Sequence, residues 1–252
     1  MRIKNTLFVG KVFLDFPDLP STNQYAQHLL AKSKPIEGTV ISTFHQHAGR
    51  GQIGSSWESE PFKNISLSVI FYPHFLSAQE QFALNLAFSL GVREFIAKYI
   101  EKSVKVKWPN DIYVNNRKIC GILIQNTLAG SQVQSCILGI GINVNQIFFS
   151  EKAPNATSFS IETTTNFPLY DLIEVLCHEI EKRYLGLKNY QRAALQEEYY
   201  RHLYRYGEEA FFKRSDGSVF EGVITGIDSN GKLLIQTALE QAAFSIKEIS
   251  FL

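Results

Sequence analysis

The stretch VKVKWPNDIYVNNRKICGILIQNTLAGSQVQSCILGIGINVN, residues 104–145, decides the fold. It is rich in Val, Ile and Leu and is cut into short apolar runs by Pro109-Asn110, by Asn115-Asn116 and by Gly130. Asn and Gly tolerate the backbone angles of tight turns, so successive runs fold back on one another as an antiparallel meander. Upstream, NISLSVIFY (residues 64–72) sets Ile65, Leu67, Val69 and Phe71 on one face at period two, which predicts another strand. Between these two regions, residues 77–100 read as one long helix. Phe82, Leu86 and Leu90 recur at four-residue steps, and Glu80 lies near the positive end of the dipole.

Further out, residues 7–16 read as a first strand ended by P-D-L-P, and residues 38–45 as a second. Ser21 with Gln24 three positions on has the pattern of a capping box and predicts a helix over 22–32. AGRGQIGSSWESEP (48–61) is a loop, and the polar residues 146–167 are a connecting segment. Residues 169–206 are helical with an interruption near Gly186. After Gly207 come short β runs joined by Asp216-Gly217 and Asn230-Gly231, which suit a small barrel. The class is α+β: a mixed, mainly antiparallel sheet packed against helices over 1–206, with a satellite β unit over 207–252.

A chain of 252 residues, 45% of them hydrophobic, can bury one sizeable core and a smaller second one. Lys and Arg number 25 against 24 Asp and Glu, so no global basic field points to nucleic acid. No apolar run nears the ~20 residues that span a bilayer, and the basic, apolar start is broken by Lys11 and Asp15 and reads as no signal peptide. Cys120, Cys136 and Cys177, odd in number and far apart, fit neither a disulfide framework nor a C-x-x-C metal site. A soluble protein of the reducing cytoplasm is expected.

Four short patterns carry polar chemistry. Gly49-Arg50-Gly51 can bring backbone N–H groups and a guanidinium to an anion. In Lys107-Trp108-Pro109-Asn110-Asp111 the proline stops a strand and turns an amide and a carboxylate outward, groups that suit an adenine edge and a metal-bound phosphate. Arg117-Lys118 follows a tight turn, and Gly121 in the next strand lets a ligand lie against the backbone. G-I-G-I-N-V-N (139–145) lightens a core strand with two glycines. Taken singly, each has an ordinary alternative: a surface loop, an Asn-Asp turn, a solvated lysine, a bulged strand. His45 and His47 flank Gln46 but have no third ligand beside them, so no zinc site is expected.

Taken together and in order, S-T-N (21–23), Q-x-A-G-R-G (46–51) with Trp57 downstream, K-W-P-N-D (107–111), R-K-x-x-G-I-L (117–123) and G-I-G-I-N-V-N resemble the biotin protein ligases over nearly the whole chain. The resemblance implies a class II synthetase-like catalytic domain (1–206) with an SH3-like C-terminal domain (207–252). It implies conversion of biotin and ATP, with Mg²⁺, to biotinyl-5′-AMP, then transfer to a lysine of the biotin carboxyl carrier protein domain of a biotin-dependent carboxylase. By that resemblance Ser21, Thr22, Asn23 and Gln46 hold the ureido ring, Trp57 covers the apolar tail, and Gly49, Gly51, Gln52 and Gly121 line the biotin site. Arg50 and Lys118 are the catalytic cations where carboxylate and α-phosphate meet. Asn110, Asp111 and Asn143 serve ATP. The loop 48–57 closes over the adenylate.

Only about twenty residues precede Ser21, so the monofunctional type without a DNA-binding domain is expected, with no DNA or membrane partner. An exposed strand edge leaves room for a homodimer. The alternatives are a related lipoyl or octanoyl transferase and a biotin-binding regulatory module. One position departs from the pattern: where G-R-G-R members carry a second arginine this chain has Gln52, which can hydrogen-bond but cannot neutralise a phosphate.

Overall fold

The structure, a computed structural model, describes residues 3–52, 54–189 and 192–252. Its centre is a seven-stranded sheet in the order β1-β2-β3-β7-β6-β5-β4, made of β1 (Phe13–Phe16), β2 (Val40–Thr43), β3 (Ile65–Phe71), β4 (Val104–Lys107), β5 (Asp111–Val114), β6 (Arg117–Ala129) and β7 (Gln132–Ile142). The β1–β2 pair is parallel, with helix α1 (Thr22–Lys32) as its crossover, and every other pair is antiparallel. The meander of 104–145 is therefore four consecutive strands.

Strand β3 shows how the sheet sorts its faces. Ile65, Leu67, Val69 and Phe71 join the main core, where the Phe71 ring lies 5.0 Å from that of Phe88 in α2 (Phe82–Ala97) and 4.5 Å from that of Tyr184 in α4 (Leu169–Lys188). The intervening positions turn the other way. Ile70 packs with Ala26 of α1, Ile41 and Ile137, while Ser68 meets the first residues of α1. Period-two alternation thus buries both faces and leaves one polar place, at the start of α1.

The helix over 22–32 forms as predicted, capped by the hydroxyl half of the expected box: the Ser21 side chain accepts from Gln24 N–H at 3.4 Å. The expected strand 7–16 is shorter, because the buried carboxylate of Glu181 accepts the N–H groups of Leu7, Phe8 and Val9 at 2.6, 2.7 and 2.8 Å. Those N–H groups turn onto α4, so they are unavailable to a ladder. The single helix expected over 77–100 is a 3-10 turn (Ala78–Glu80) followed by α2, since Glu80 turns back onto Ser77 in a capping box. Gly186 does not interrupt its helix: α4 runs to Lys188 and α5 (Arg192–His202) follows. The parts of that expectation on residues 190–191 lie outside the described residues. The connecting segment contains a short helix, α3 (Phe159–Thr163), whose N-cap Ser158 accepts from Ile161 N–H at 3.2 Å.

The C-terminal hairpins form a five-stranded antiparallel sheet, order β11-β10-β9-β8-β12, from β8 (Glu209–Arg214), β9 (Val219–Ile227), β10 (Leu233–Gln236), β11 (Gln241–Phe244) and β12 (Ile249–Phe251). It is fastened beside the K-W-P-N-D turn. Trp108 Nε1–H donates to the carbonyl of Gly231 at 2.9 Å, and the Lys107 ammonium lies 4.8 Å from the Phe251 ring centre. Among the described residues no helix is long and apolar enough to cross a membrane.

Candidate active site

Two chambers open on the polar face of the sheet and share Ser56, Trp57 and Lys118 as a common wall. The first, about 180 Å³, is lined by Ser21, Thr22, Asn23, Gln46 and the loop residues Arg50, Gly51 and Gln52, with Asn110, Asp111 and Gly121 opposite. The second, about 440 Å³, takes in Ala48, Gly49, Tyr113, Asn143 and residues 152–156. All the residues proposed from sequence therefore lie at one or the other. The two amides expected to serve ATP are divided, Asn110 in the first chamber and Asn143 in the second.

At the polar end of the first chamber, Thr22 N–H donates to Gln46 Oε1 at 2.9 Å. The Asn23 amide donates to Gln125 Oε1 at 3.0 Å, and its Oδ1 lies 2.6 Å from the Ser68 hydroxyl, which is also 2.8 Å from that of Thr22. Ser68 and Gln125 were not singled out from sequence. The signal for Ser68 is there: Ser66 and Ser68 occupy the alternate phase of an otherwise apolar strand, where a serine has no place in the core. A network with every member bonded fixes side-chain orientation before any ligand arrives.

The glycines of β6 and β7 make room. Gly121 and Gly141 are paired across the ladder. A Cβ at Gly141 would come within 2.3 Å of the Trp57 ring, one at Gly121 within 3.0 Å of it, and one at Gly139 within 2.0 Å of Asn23 Oδ1. The backbone is bare because an indole lies on it. Trp57 reaches this place because the loop folds back on itself: Trp57 N–H donates to the Gly49 carbonyl at 3.0 Å and Gly51 N–H to that of Ser55 at 2.9 Å. Ile53, within the loop expected over 48–57, lies outside the described residues.

Charge gathers at the shared wall. The Lys118 ammonium stands 2.8 Å from Asp111 Oδ1 and 5.6 Å from the centre of the Trp57 ring. Arg50 is exposed at the rim of the first chamber. Lys107 lies behind Tyr113, to whose hydroxyl it donates at 3.2 Å, and burial pushes its ammonium below the usual lysine range. Asn110 is committed at both ends, donating to the Ile122 carbonyl and accepting from Gln52 Nε2 at 2.9 Å. Asn143 donates to the Thr157 carbonyl at 3.0 Å, but among the described residues its Oδ1 is buried without a partner, as is Trp57 Nε1. An unpaired buried acceptor costs about 1–3 kcal/mol, which a ligand N–H placed there would recover. His45 and His47 both point Nδ1 at Asp18 Oδ1, 2.9 and 3.2 Å away.

Residues 16–143 match the Biotin/lipoate A/B protein ligase family. The bifunctional ligase/repressor BirA of Bacillus spizizenii is 31% identical over 227 residues, 89% of this chain and 69% of that protein. The biotin--[acetyl-CoA-carboxylase] ligase of Mycobacterium tuberculosis is 29% identical over 218 residues, 85% of this chain and 79% of that one. In structure, the biotin protein ligase of Aquifex aeolicus in complex with biotin and ATP superposes with a TM-score of 0.79 at 23% identity, covering 96% of this chain and 99% of that one. That similarity shows the α+β class with its C-terminal β unit. With a family match over half the chain and the family's motifs gathered at one pair of chambers, this chain belongs to the biotin/lipoate A/B protein ligase family.

Proposed function

We infer that this protein joins biotin to ATP as biotinyl-5′-AMP, releasing pyrophosphate, and passes the biotinyl group to a lysine of a biotin carboxyl carrier protein domain. One observation carries the reading: Lys118, paired with Asp111, stands in the wall common to a small polar chamber and a larger one. A carboxylate from one side and an α-phosphate from the other meet there. Both are anions, and a fixed cation at their junction stabilises the charge that builds as the mixed anhydride forms.

Ser21, Thr22, Asn23 and Gln46 supply the donors and acceptors a ureido ring needs, and Trp57 the apolar cover for the thioether ring and tail. Biotin is favoured over a lipoyl group by that polar end, because a dithiolane ring has no N–H or carbonyl to offer it. The buried Asn143 acceptor suits an adenine amine in the second chamber. Mg²⁺ would enter with the ATP phosphates and supply further positive charge, with Asp111 the wall carboxylate that fits it. Arg50 adds charge from the rim once the loop 48–57 closes, excluding water from the adenylate. The catalytic domain is assigned to 1–206 and the SH3-like domain to 207–252. The three buried free cysteines accord with a cytoplasmic protein, and an exposed strand edge offers a surface for a homodimer.

The test is to incubate the protein with biotin, Mg-ATP and a carrier domain and to read the mass of the carrier. One lysine should gain a biotinyl group in an ATP-dependent way; no transfer would overturn the reading.

Gln52 gives a second outcome. Its amide donates to Asn110 Oδ1 at 2.9 Å and, being neutral, cannot compensate the charge of a phosphate. Gln52→Arg is expected to lengthen the residence of biotinyl-AMP by roughly tenfold, the scale of one charge-assisted bond. Release of the adenylate without acceptor measures it, and an unchanged half-life would remove Gln52 as the cause of weak retention.

A further inference from the structure

We propose that Glu162, on α3, is a positioning residue that fixes both Lys118 and Asn143 through a single buried carboxylate, an inference that rests on the ligase reading of these chambers. The side chain is 1% exposed. Its Oε1 accepts from Arg117 Nη2 at 2.6 Å and from the Thr157 hydroxyl at 2.5 Å, and its Oε2 from Lys102 Nζ at 2.9 Å. Neither Arg117 nor Thr157 reaches a chamber by its side chain. What they carry does.

Arg117 immediately precedes Lys118 in β6. Thr157 ends a short extended segment that pairs with Lys118 from outside the sheet: Lys118 N–H donates to the Asn155 carbonyl at 2.8 Å, and Thr157 N–H to the Lys118 carbonyl at 2.8 Å. The Thr157 carbonyl in turn accepts from Asn143 Nδ2 at 3.0 Å. Glu162 therefore ties the backbone that presents Lys118 to the carbonyl that orients Asn143. Asn155 and Ala156, between them, are wall residues of the second chamber. The polar end of the first chamber hangs instead on α1, Gln46, Ser68 and Gln125, none of which touches this anchor.

Burial alone would push the Glu162 carboxyl up; the bonds from Lys102 and Thr157 and the Arg117 charge outweigh it and hold the group below the usual carboxylate range. The anion is thus the form in place near neutral pH. Removing the carboxylate leaves the buried Thr157 hydroxyl without its acceptor, whereas Arg117 and Lys102, both about half exposed, can turn to water.

The division between the chambers gives the test. Wild-type protein and Glu162→Gln are compared in biotin-dependent pyrophosphate release at varied ATP, with biotin affinity measured calorimetrically and folded fraction by thermal melt. The expected result is a loss of about tenfold or more in kcat/KM for ATP, one charge-assisted bond's worth, with a smaller fall in biotin affinity, because of the two anchored side chains only Lys118 also lines the first chamber. Glu162→Asp should recover part of the loss. Thr157→Val keeps the shape of a buried residue and removes only the hydroxyl, so it serves if Glu162→Gln does not fold, and should show the same split at smaller size. Wild-type constants per folded molecule, or biotin affinity falling in step with ATP, would overturn the proposal. Absence of pyrophosphate release from wild type would instead mean that the ligase reading has failed.

Discussion

Lys118→Ala is expected to lower the rate of biotinyl-AMP formation by roughly a hundredfold or more, the scale on which one preorganised charge acts in a dry site. Two effects add. The cation between two anionic reactants is lost, and Asp111, now unpaired 26% exposed in the same wall, presents a negative charge to them. The second effect makes the prediction specific: Asp111→Asn added to Lys118→Ala should recover part of the rate, though Asp111→Asn alone should lower it. Fold is not at stake, because the ladder and bridge bonds of residue 118 are made by its backbone. Pyrophosphate release and carrier biotinylation, measured side by side, decide it. Undiminished transfer by Lys118→Ala would remove the cation from the mechanism.

How far the sequence reached depended on how local the cause was. The meander from 104 to 145 was legible because each strand carries its own alternation and each turn its own Asn or Gly. Residues 7–12 misled because their apolar pattern suits a strand, while the competing partner, Glu181, lies over 170 residues away in sequence. Gly186 misled in the opposite sense. A glycine costs a helix about 1 kcal/mol, which α4 meets by packing Ile180, Tyr184 and Leu187 into the core.

At the site, the motifs named the residues that face the chambers, and missed those that hold them. Ser68, Gln125 and Glu162 act through bonds to residues 45 to 102 positions away, and of the three only Ser68 leaves a local trace, as a serine in the alternate phase of β3. The chamber-lining residues named from sequence sit in short recognisable runs, but their supports are scattered along the chain. The division of Asn110 from Asn143 was likewise invisible, since it depends on where Trp57 lies.

Gly139→Ala is expected to reduce biotin affinity by roughly a hundredfold. The added Cβ would stand 2.0 Å from Asn23 Oδ1 and 2.7 Å from its Cγ, so the two cannot coexist. Backbone conformation is no obstacle: Gly139 lies within β7, paired to Ser68 on one side and Leu123 on the other, and has no positive φ. The effect is steric and falls on one side chain. Asn23 is 5% exposed and bonded to Gln125 beside Ser68, so it has no free space to enter. Either it abandons those bonds, leaving buried polar groups unpaired, or α1 moves off the sheet and takes Ser21 and Thr22 with it. Overpacking of this kind costs about 1–3 kcal/mol, and the lost ring contacts add to it. Asn23→Ala separates the two: in the double variant the Cβ has room, so thermal stability should return while biotin affinity stays low. Calorimetric titration of biotin against both variants, with melts alongside, is the measurement. Wild-type affinity in Gly139→Ala would mean that Asn23 neither touches biotin nor positions what does, and the polar end of the first chamber would lose its assignment.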